Sequence, residues 1–94
     1  MVLYRLTVVL HPSIISKNVR TTIKVDSTQK ILDGLLAALK RIPEAYKILV
    51  NNNHLRPGFL FLSDKIELKT TNNLNKNITR DMEIKVIPIS HGGV

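Results

Sequence analysis

The chain has 94 residues, of which 44% are hydrophobic and 22% charged, the composition of one globular domain with little room for an enzyme cleft. It contains no cysteine, which excludes disulfides, thiolate metal sites and a cysteine nucleophile. The formal net charge is +7, but the 14 Lys and Arg residues are spread along the chain and only 4% of residues are aromatic, so a solvated basic surface is favoured over a dedicated nucleic-acid site.

The N-terminal stretch and the hydropathy of the chain predict a cytoplasmic protein. Arg5 interrupts the first apolar stretch, which alternates instead of forming the continuous apolar segment of a signal peptide. No segment approaches the roughly 20 apolar residues of a membrane span. We therefore expect no membrane association.

The first half of the chain predicts two strands. Residues 3–10 and 19–26 alternate between apolar and polar side chains, the pattern of strands with one buried face. Residues 11–18 form a turn region between them, and Ile14 and Ile15 are expected to pack back onto the core edge.

A helix follows the second strand. Apolar residues recur at three- and four-residue spacing from Ile31 to Ile42, which predicts one buried stripe. Asp26-Ser27-Thr28 offers caps for this helix, and Pro43 ends it. Gly34 lies within the helix at a cost of about 1 kcal/mol relative to alanine, which predicts a close approach to the sheet.

The second half of the chain predicts short elements separated by turns. In order, we expect a strand at 46–50, turns at 51–53 and 56–58, a short apolar plug against the sheet at 59–62, a brief strand at 66–68, a surface loop at 69–77 and a final strand at 83–89.

This element order predicts an α+β fold. One helix must cover one face of one mixed sheet of four to five strands. The first and last strands can lie parallel at its centre, because a crossover containing the helix separates them. The arrangement is that of the ubiquitin-like β-grasp fold, with a domain at 1–89 and a flexible Gly-Gly tail at 90–94.

The tail reads Ser90-His91-Gly92-Gly93-Val94. Glycine has no Cβ, so Gly92 and Gly93 can extend through a channel too narrow for other residues, and a glycine carboxylate held away from the domain can be activated as an acyl group. The alternative is a frayed terminus without function.

Two stretches, 56–68 and 78–93, carry a family resemblance. The turn Arg56-Pro57-Gly58 before an apolar run, the pair Glu67-Leu68 and the ending His91-Gly92-Gly93 resemble the ubiquitin-related modifiers. They are also similar to the small subunit of molybdopterin synthase and to the sulfur carrier of thiamine biosynthesis.

The resemblance implies a carrier that binds no cofactor and is a substrate of another enzyme. A ubiquitin-activating-like adenylyltransferase would use ATP and magnesium to adenylate the carboxylate of Gly93, while Gly92 threads the channel and His91 stands beside it. The product would be a thiocarboxylate for a sulfur-acceptor enzyme, as in tRNA thiolation or molybdopterin biosynthesis, or an isopeptide bond to a target lysine.

The sequence departs from the family pattern in two places. Val94 follows Gly93, so activation requires the loss of Val94. The turn before the last strand is usually an acidic Asp-Gly-Asp, whereas here it reads Arg80-Asp81-Met82.

A docking surface is predicted beside the tail. Ile87 and Ile89 should face away from the helix, with Leu49 near them on the adjacent strand, and together they would make an apolar patch for a partner. The alternative is that a loop or a second copy covers them. His91 would contact the activating enzyme or be a solvated bystander.

Other chemistry is not favoured. His11 and His54 lie in separate turns without ligand-like spacing, so no metal site is predicted. No phosphate loop, serine elbow or pair of carboxylates is present. The competing hypothesis is a small basic module that binds nucleic acid or protein and whose glycine tail is incidental.

Overall fold

The computed structural model describes residues 2–89, so the predicted tail at 90–94, with His91, Gly92 and Gly93, lies outside the described residues. The elements are, in order, β1 (Leu3–Leu10), α1 (Pro12–Ile15), β2 (Val19–Asp26), α2 (Ile31–Lys40), α3 (Pro43–Leu49), β3 (Val50–Asn51), β4 (His54–Leu55), β5 (Phe59–Ser63), β6 (Ile66–Glu67), a 3₁₀ turn (Asn73–Asn75) and β7 (Met82–Pro88).

Five strands form one mixed sheet in the order β2-β1-β7-β5-β6. The first and last strands, β1 and β7, pair in parallel at its centre, with Leu6 opposite Met82 and Leu10 opposite Val86. The other pairs in the sheet are antiparallel. The predicted fold class, a mixed sheet with a helix across one face, is confirmed. β3 and β4 form a separate hairpin.

The core lies between the sheet and α2. The helix buries its predicted stripe, with Leu35 and Leu39 fully buried against the sheet face that carries Leu6 and Val8. Each such side chain contributes about 2 kcal/mol through removal of its apolar surface from water. None of the helices in residues 2–89 has the length and hydropathy needed to span a bilayer.

Gly34 marks the closest approach of α2 to the sheet. A Cβ at this position would lie 2.9 Å from Cδ2 of Leu6 and 2.9 Å from Cγ2 of Val25. Real Cβ atoms essentially never lie this close to another atom, so a side chain at this position would force Leu6 and Val25 to shift. The prediction made from the helix sequence is therefore confirmed.

The start of α2 differs from the prediction. The helix begins at Ile31, and its cap residue Lys30 makes no side-chain hydrogen bond to the helix. Asp26 instead closes a turn, because its Oδ1 accepts the backbone N–H of Thr28 at 2.8 Å. That hydrogen bond lowers the pKa of the Asp26 carboxyl. The N–H of Ile31 is satisfied by the carbonyl of Lys76 at 2.9 Å.

The strand predicted at 46–50 is wrong, because most of this segment is helix α3. Pro43 occupies the first turn of α3, where its missing N–H costs nothing, so it both ends one helix and begins the next. Ala45 and Leu49, four residues apart, point into the core. Only Val50 and Asn51 are extended.

The plug predicted at 59–62 is also wrong, because these residues form β5 within the main sheet. The brief strand is observed as β6. The predicted turns are observed as well: Asn52 and Asn53 have φ of 51° and 63°, and Gly58 has φ of 96°. These positive φ values suit asparagine and glycine.

Candidate interaction surface beside the last strand

The last strand, β7, is held on both of its edges. It pairs in parallel with β1 and antiparallel with β5, which places Val86 between Leu10 and Phe61. Beyond the strand, the N–H of Ile89 still donates to the carbonyl of Gly58 at 2.8 Å. The chain is therefore anchored by the sheet up to the last described residue.

Side chains of β7 alternate between the two faces of the sheet. Ile84 and Val86 are fully buried in the core, so Ile87 lies on the opposite, open face. Ile89, two residues further along, is 42% exposed. The structure thus places both isoleucines where the alternation predicts, while their docking role stays a prediction.

Leu49 does not belong to this surface. It lies in α3 and is fully buried in the core, so it cannot contact a partner. Its place is taken by two leucines of β5, each half-buried: Leu60 lies opposite Ile87 in the strand register, and Leu62 lies opposite Lys85. We call the set Leu60, Leu62, Ile87 and Ile89 the open-face patch.

The β5 leucines were missed because 59–62 is a continuous apolar run. A strand with one buried and one open face normally alternates, but here both faces are apolar, with Phe61 in the core between the two leucines. The alternation signal is therefore absent. A continuous run of strand length bounded by the turn at 56–58 is the signal that predicts such a strand.

Charged side chains border the open-face patch. Glu83, Lys85, Asp64 and Lys65 line a depression of about 400 Å³ together with Leu62 and Ile87. Glu83 accepts a hydrogen bond of 2.8 Å from Arg20 on the open face. The open face at the end of β7 thus carries an apolar patch with a charged border.

The turn before β7 is connected to other parts of the sheet through its side chains. Asp81 Oδ1 accepts the backbone N–H of Arg5 at 2.8 Å and so ties the start of β7 to β1. Arg80 pairs with Asp64 at 2.8 Å. The turn before β7 is thus not acidic in this chain: its carboxylate, Asp81, binds the backbone of β1, and its arginine, Arg80, pairs with the turn between β5 and β6.

Glu67 supports β5 from the neighbouring edge. Burial alone would raise the pKa of its carboxyl, but hydrogen bonds from the backbone N–H groups of Phe61 and Thr70 outweigh it and hold the pKa below the usual range. The carboxylate thus fixes the strand that carries Leu60 and Leu62.

The described residues contain two histidines, His11 and His54. His11 follows β1 beside the end of β7, where its backbone N–H donates to the carbonyl of Val86 at 2.9 Å. Nδ1 of His11 accepts the backbone N–H of Ser13 at 3.1 Å and caps the short helix α1. His54 lies in β4. Within residues 2–89, no group of three or more His, Asp or Glu side chains is placed to hold a metal ion.

No protein-family model matches this sequence, and no curated protein matches it. Solved structures do match. Small archaeal modifier protein 1 from Haloferax volcanii is 15% identical with a TM-score of 0.73, covering 95% of this chain and 99% of that one. The protein of the same name from Methanosarcina acetivorans is 14% identical with a TM-score of 0.71, covering 99% and 100%.

A third structure, the HVO 2177 protein of Haloferax volcanii, is 14% identical with a TM-score of 0.68 and covers 96% of this chain and 88% of its own. At these identities the likeness concerns the fold. The chain therefore has, over nearly its whole length, the ubiquitin-like β-grasp fold of the small archaeal modifier proteins.

Proposed function

We propose that this chain is a ubiquitin-like protein modifier, a sulfur carrier, or both, and that it is a substrate of an activating enzyme. The observation that carries the proposal is the placement of β7. This central strand is fixed on both edges, and its anchoring extends to Ile89, shortly before Gly92 and Gly93 in the sequence.

Two further observations support this function. Structures of the same fold include proteins described as modifiers. The open-face patch is formed by β7, which leads into the tail, and by its neighbour β5, and an enzyme that takes up the tail would need a rigid surface there. A reducing, cytoplasmic location suits a chain without cysteine.

In the proposed reaction, hydrolysis of the last peptide bond removes Val94 and frees the carboxylate of Gly93. A carboxylate oxygen attacks the α-phosphate of ATP bound with magnesium to the activating enzyme, which forms the acyl adenylate and releases pyrophosphate. A sulfur nucleophile or a lysine amine then attacks the acyl carbon, and AMP leaves. This gives a thiocarboxylate or an isopeptide bond.

The parts of the tail have separate tasks in this scheme. Gly92 passes through the channel of the enzyme because it carries no side chain. His91 stands at the channel entrance. Ile87 and Ile89 dock on the enzyme together with the β5 leucines of the open-face patch. ATP and magnesium belong to the enzyme, and the chain itself supplies no catalytic group.

Intact-mass spectrometry tests the proposal. The chain ending at Gly93 is incubated with ATP, sulfide and the adenylyltransferase of its own cell, and a mass increase equal to the exchange of one oxygen for sulfur is expected. The chain ending at Val94 is the matched control and should stay unchanged. If the chain ending at Gly93 stays unchanged too, the assignment of the acyl end is wrong.

The second candidate is a small basic module, with a net charge of +7, that binds nucleic acid or protein and whose glycine tail is incidental. This candidate predicts RNA binding with an affinity that falls steeply as salt is added, because bound counterions are released from the phosphates. Binding without such a slope, or no binding, argues against it. Conjugation would instead be established by lysines of other proteins that carry residues 86–93, the remnant left by trypsin cleavage after Lys85.

A further inference from the structure

The depression beside β7 has an uneven balance of charge. Two of the side chains that line it are carboxylates, and both are already paired within the chain: Glu83 with Arg20 and Asp64 with Arg80, each at 2.8 Å. The other two charged side chains are Lys65 and Lys85. Neither makes an ion pair within residues 2–89.

These two lysines flank the apolar part of the depression. Lys85 lies opposite Leu62 in the register of β7 and β5, and Ile87 follows two residues along on the same face. Lys65 lies in the turn at the end of β5. An incoming partner therefore meets two exposed ammonium groups beside an apolar floor, while each neighbouring carboxylate is engaged with an arginine.

Lys65 has an unfavourable backbone conformation. Asp64 and Lys65, with φ of 49° and 68°, are the two central residues of the hairpin that joins Ser63 to its partner Ile66. A turn with positive φ at both positions favours glycine at the second, because a Cβ is crowded there. The chain has a long cationic side chain at a position where glycine would be more stable, and strain of this kind is often retained at functional sites.

We propose that Lys65 and Lys85 select the partner of the open-face patch, and that this partner is a protein surface with carboxylates around an apolar centre. The inference rests on the proposed function, since the partner is then the activating enzyme. Exposed lysines suit this task because they attract an acidic surface from a distance and discriminate against a basic one.

The surface itself is tested with a peptide probe of alternating leucine and glutamate and with its glutamine counterpart. Each is titrated into the ¹⁵N-labelled full chain while amide resonances are followed. The glutamate peptide should shift the resonances of Leu62, Lys65, Lys85 and Ile87, and should bind about tenfold more tightly than the glutamine peptide at low salt.

Three variants sharpen the test. Lys65→Gly should weaken the glutamate peptide several-fold and also raise the Tm, because glycine relieves the turn; a residue with only a structural role would not give this opposite pair of effects. Lys85→Ser should weaken the peptide with no change in Tm. Lys40→Gln, in α2 on the other side of the molecule, is the control and should leave binding unchanged.

Equal binding of the two peptides, resonance shifts spread over the whole surface, or unchanged binding by the Lys65→Gly, Lys85→Ser double variant overturns the inference. With the activating enzyme, the double variant should raise KM about tenfold at unchanged kcat. If the wild-type chain is adenylated and the KM of the variant is unchanged, this inference fails and the proposed function stands. If the peptide results hold and no adenylation occurs, the proposed function fails and the surface stands.

Discussion

The side chain of Glu67 accepts a hydrogen bond from the backbone of Phe61, as the carbonyl of a neighbouring strand would. Oε2 of Glu67 accepts the backbone N–H of Phe61 at 2.8 Å, and the N–H of Leu68 donates to the carbonyl of Phe61 at 2.8 Å. A carboxylate oxygen thus occupies the position of a strand carbonyl at the point where the short strand β6 ends. The buried Phe61 is fixed from this edge, and the leucines on either side of it are held on the open face.

This hydrogen bond makes stability depend on pH. The pKa of the Glu67 carboxyl is lower in the folded chain than its ordinary value of 4.5. The stability that this carboxylate contributes is therefore present above pH 4.5 and is lost as the pH falls through the lower pKa of the folded chain. Glu67→Gln should remove this part of the acid sensitivity. Denaturant unfolding below pH 4.5 checks it, and equal acid sensitivity of the two chains would contradict it.

The Glu67 carboxylate also contributes to the free energy of unfolding at neutral pH. Glu67→Ala leaves the backbone N–H groups of Phe61 and Thr70 without this acceptor. It should cost about 1 kcal/mol, less than the roughly 1.5–3 kcal/mol of a hydrogen bond to a buried charge, because the carboxylate is partly exposed to solvent. Urea unfolding at pH 7 measures this change. Glu44→Ala, at an exposed site in α3, is the control and should change stability by less than about 0.5 kcal/mol.

Gly34 should resist substitution although it lies in a helix. Alanine gains about 1 kcal/mol of helix propensity, but its Cβ would meet Leu6 and Val25 at 2.9 Å, and overpacking costs about 1–3 kcal/mol. We expect Gly34→Ala to lower stability by about 1 kcal/mol in urea unfolding. Val25→Ala should then cost less in the Gly34→Ala background than in the wild type, and strict additivity of the two would show that the contact is not limiting.

The strands at 3–10 and 19–26 and the buried stripe of helix α2 were predicted correctly because each of these elements buries one face only. Burial on one side imposes a regular alternation or a three- and four-residue spacing, and these periods are visible in the sequence. The order of these elements and of the final strand at 83–89 also predicted that the first and last strands pair in parallel. The mixed sheet was therefore predictable before the structure was known.

The wrong predictions, at 46–50 and 59–62, lie where the buried side chains do not follow the sequence period of the element that forms. Tyr46, Ile48 and Val50 alternate like a strand, yet Ala45 and Leu49 are the buried pair, and the proline at the start of the segment favours a helix. The run at 59–62 is apolar on both faces of the sheet. Contacts between residues far apart in the sequence, such as Asp81 with the backbone of Arg5, leave no pattern in the sequence and are visible only in the structure.

Leu49 and Ile87 should therefore behave in opposite ways. Leu49 is fully buried, so Leu49→Ala should cost about 2–4 kcal/mol. Ile87 lies on the open face, so Ile87→Asp should change the Tm little and should raise the KM for adenylation. Thermal unfolding and adenylation kinetics on both variants check the contrast. A large fall in Tm for Ile87→Asp would place this residue in the core instead.

Removal of Gly93 and Val94 separates folding from activation. The sheet anchors the chain up to Ile89, whose N–H donates to Gly58 at 2.8 Å, so a chain that ends at Gly92 should keep its Tm. The same chain should not yield the thiocarboxylate, because the enzyme would have to reach an acyl carbon one residue nearer to the sheet. Intact mass and thermal unfolding are measured together, with the chain ending at Gly93 as reference. If the shortened chain were still activated, the enzyme would recognise the sheet surface independently of the length of the tail. The assignment of Gly93 as the activated residue would then be wrong.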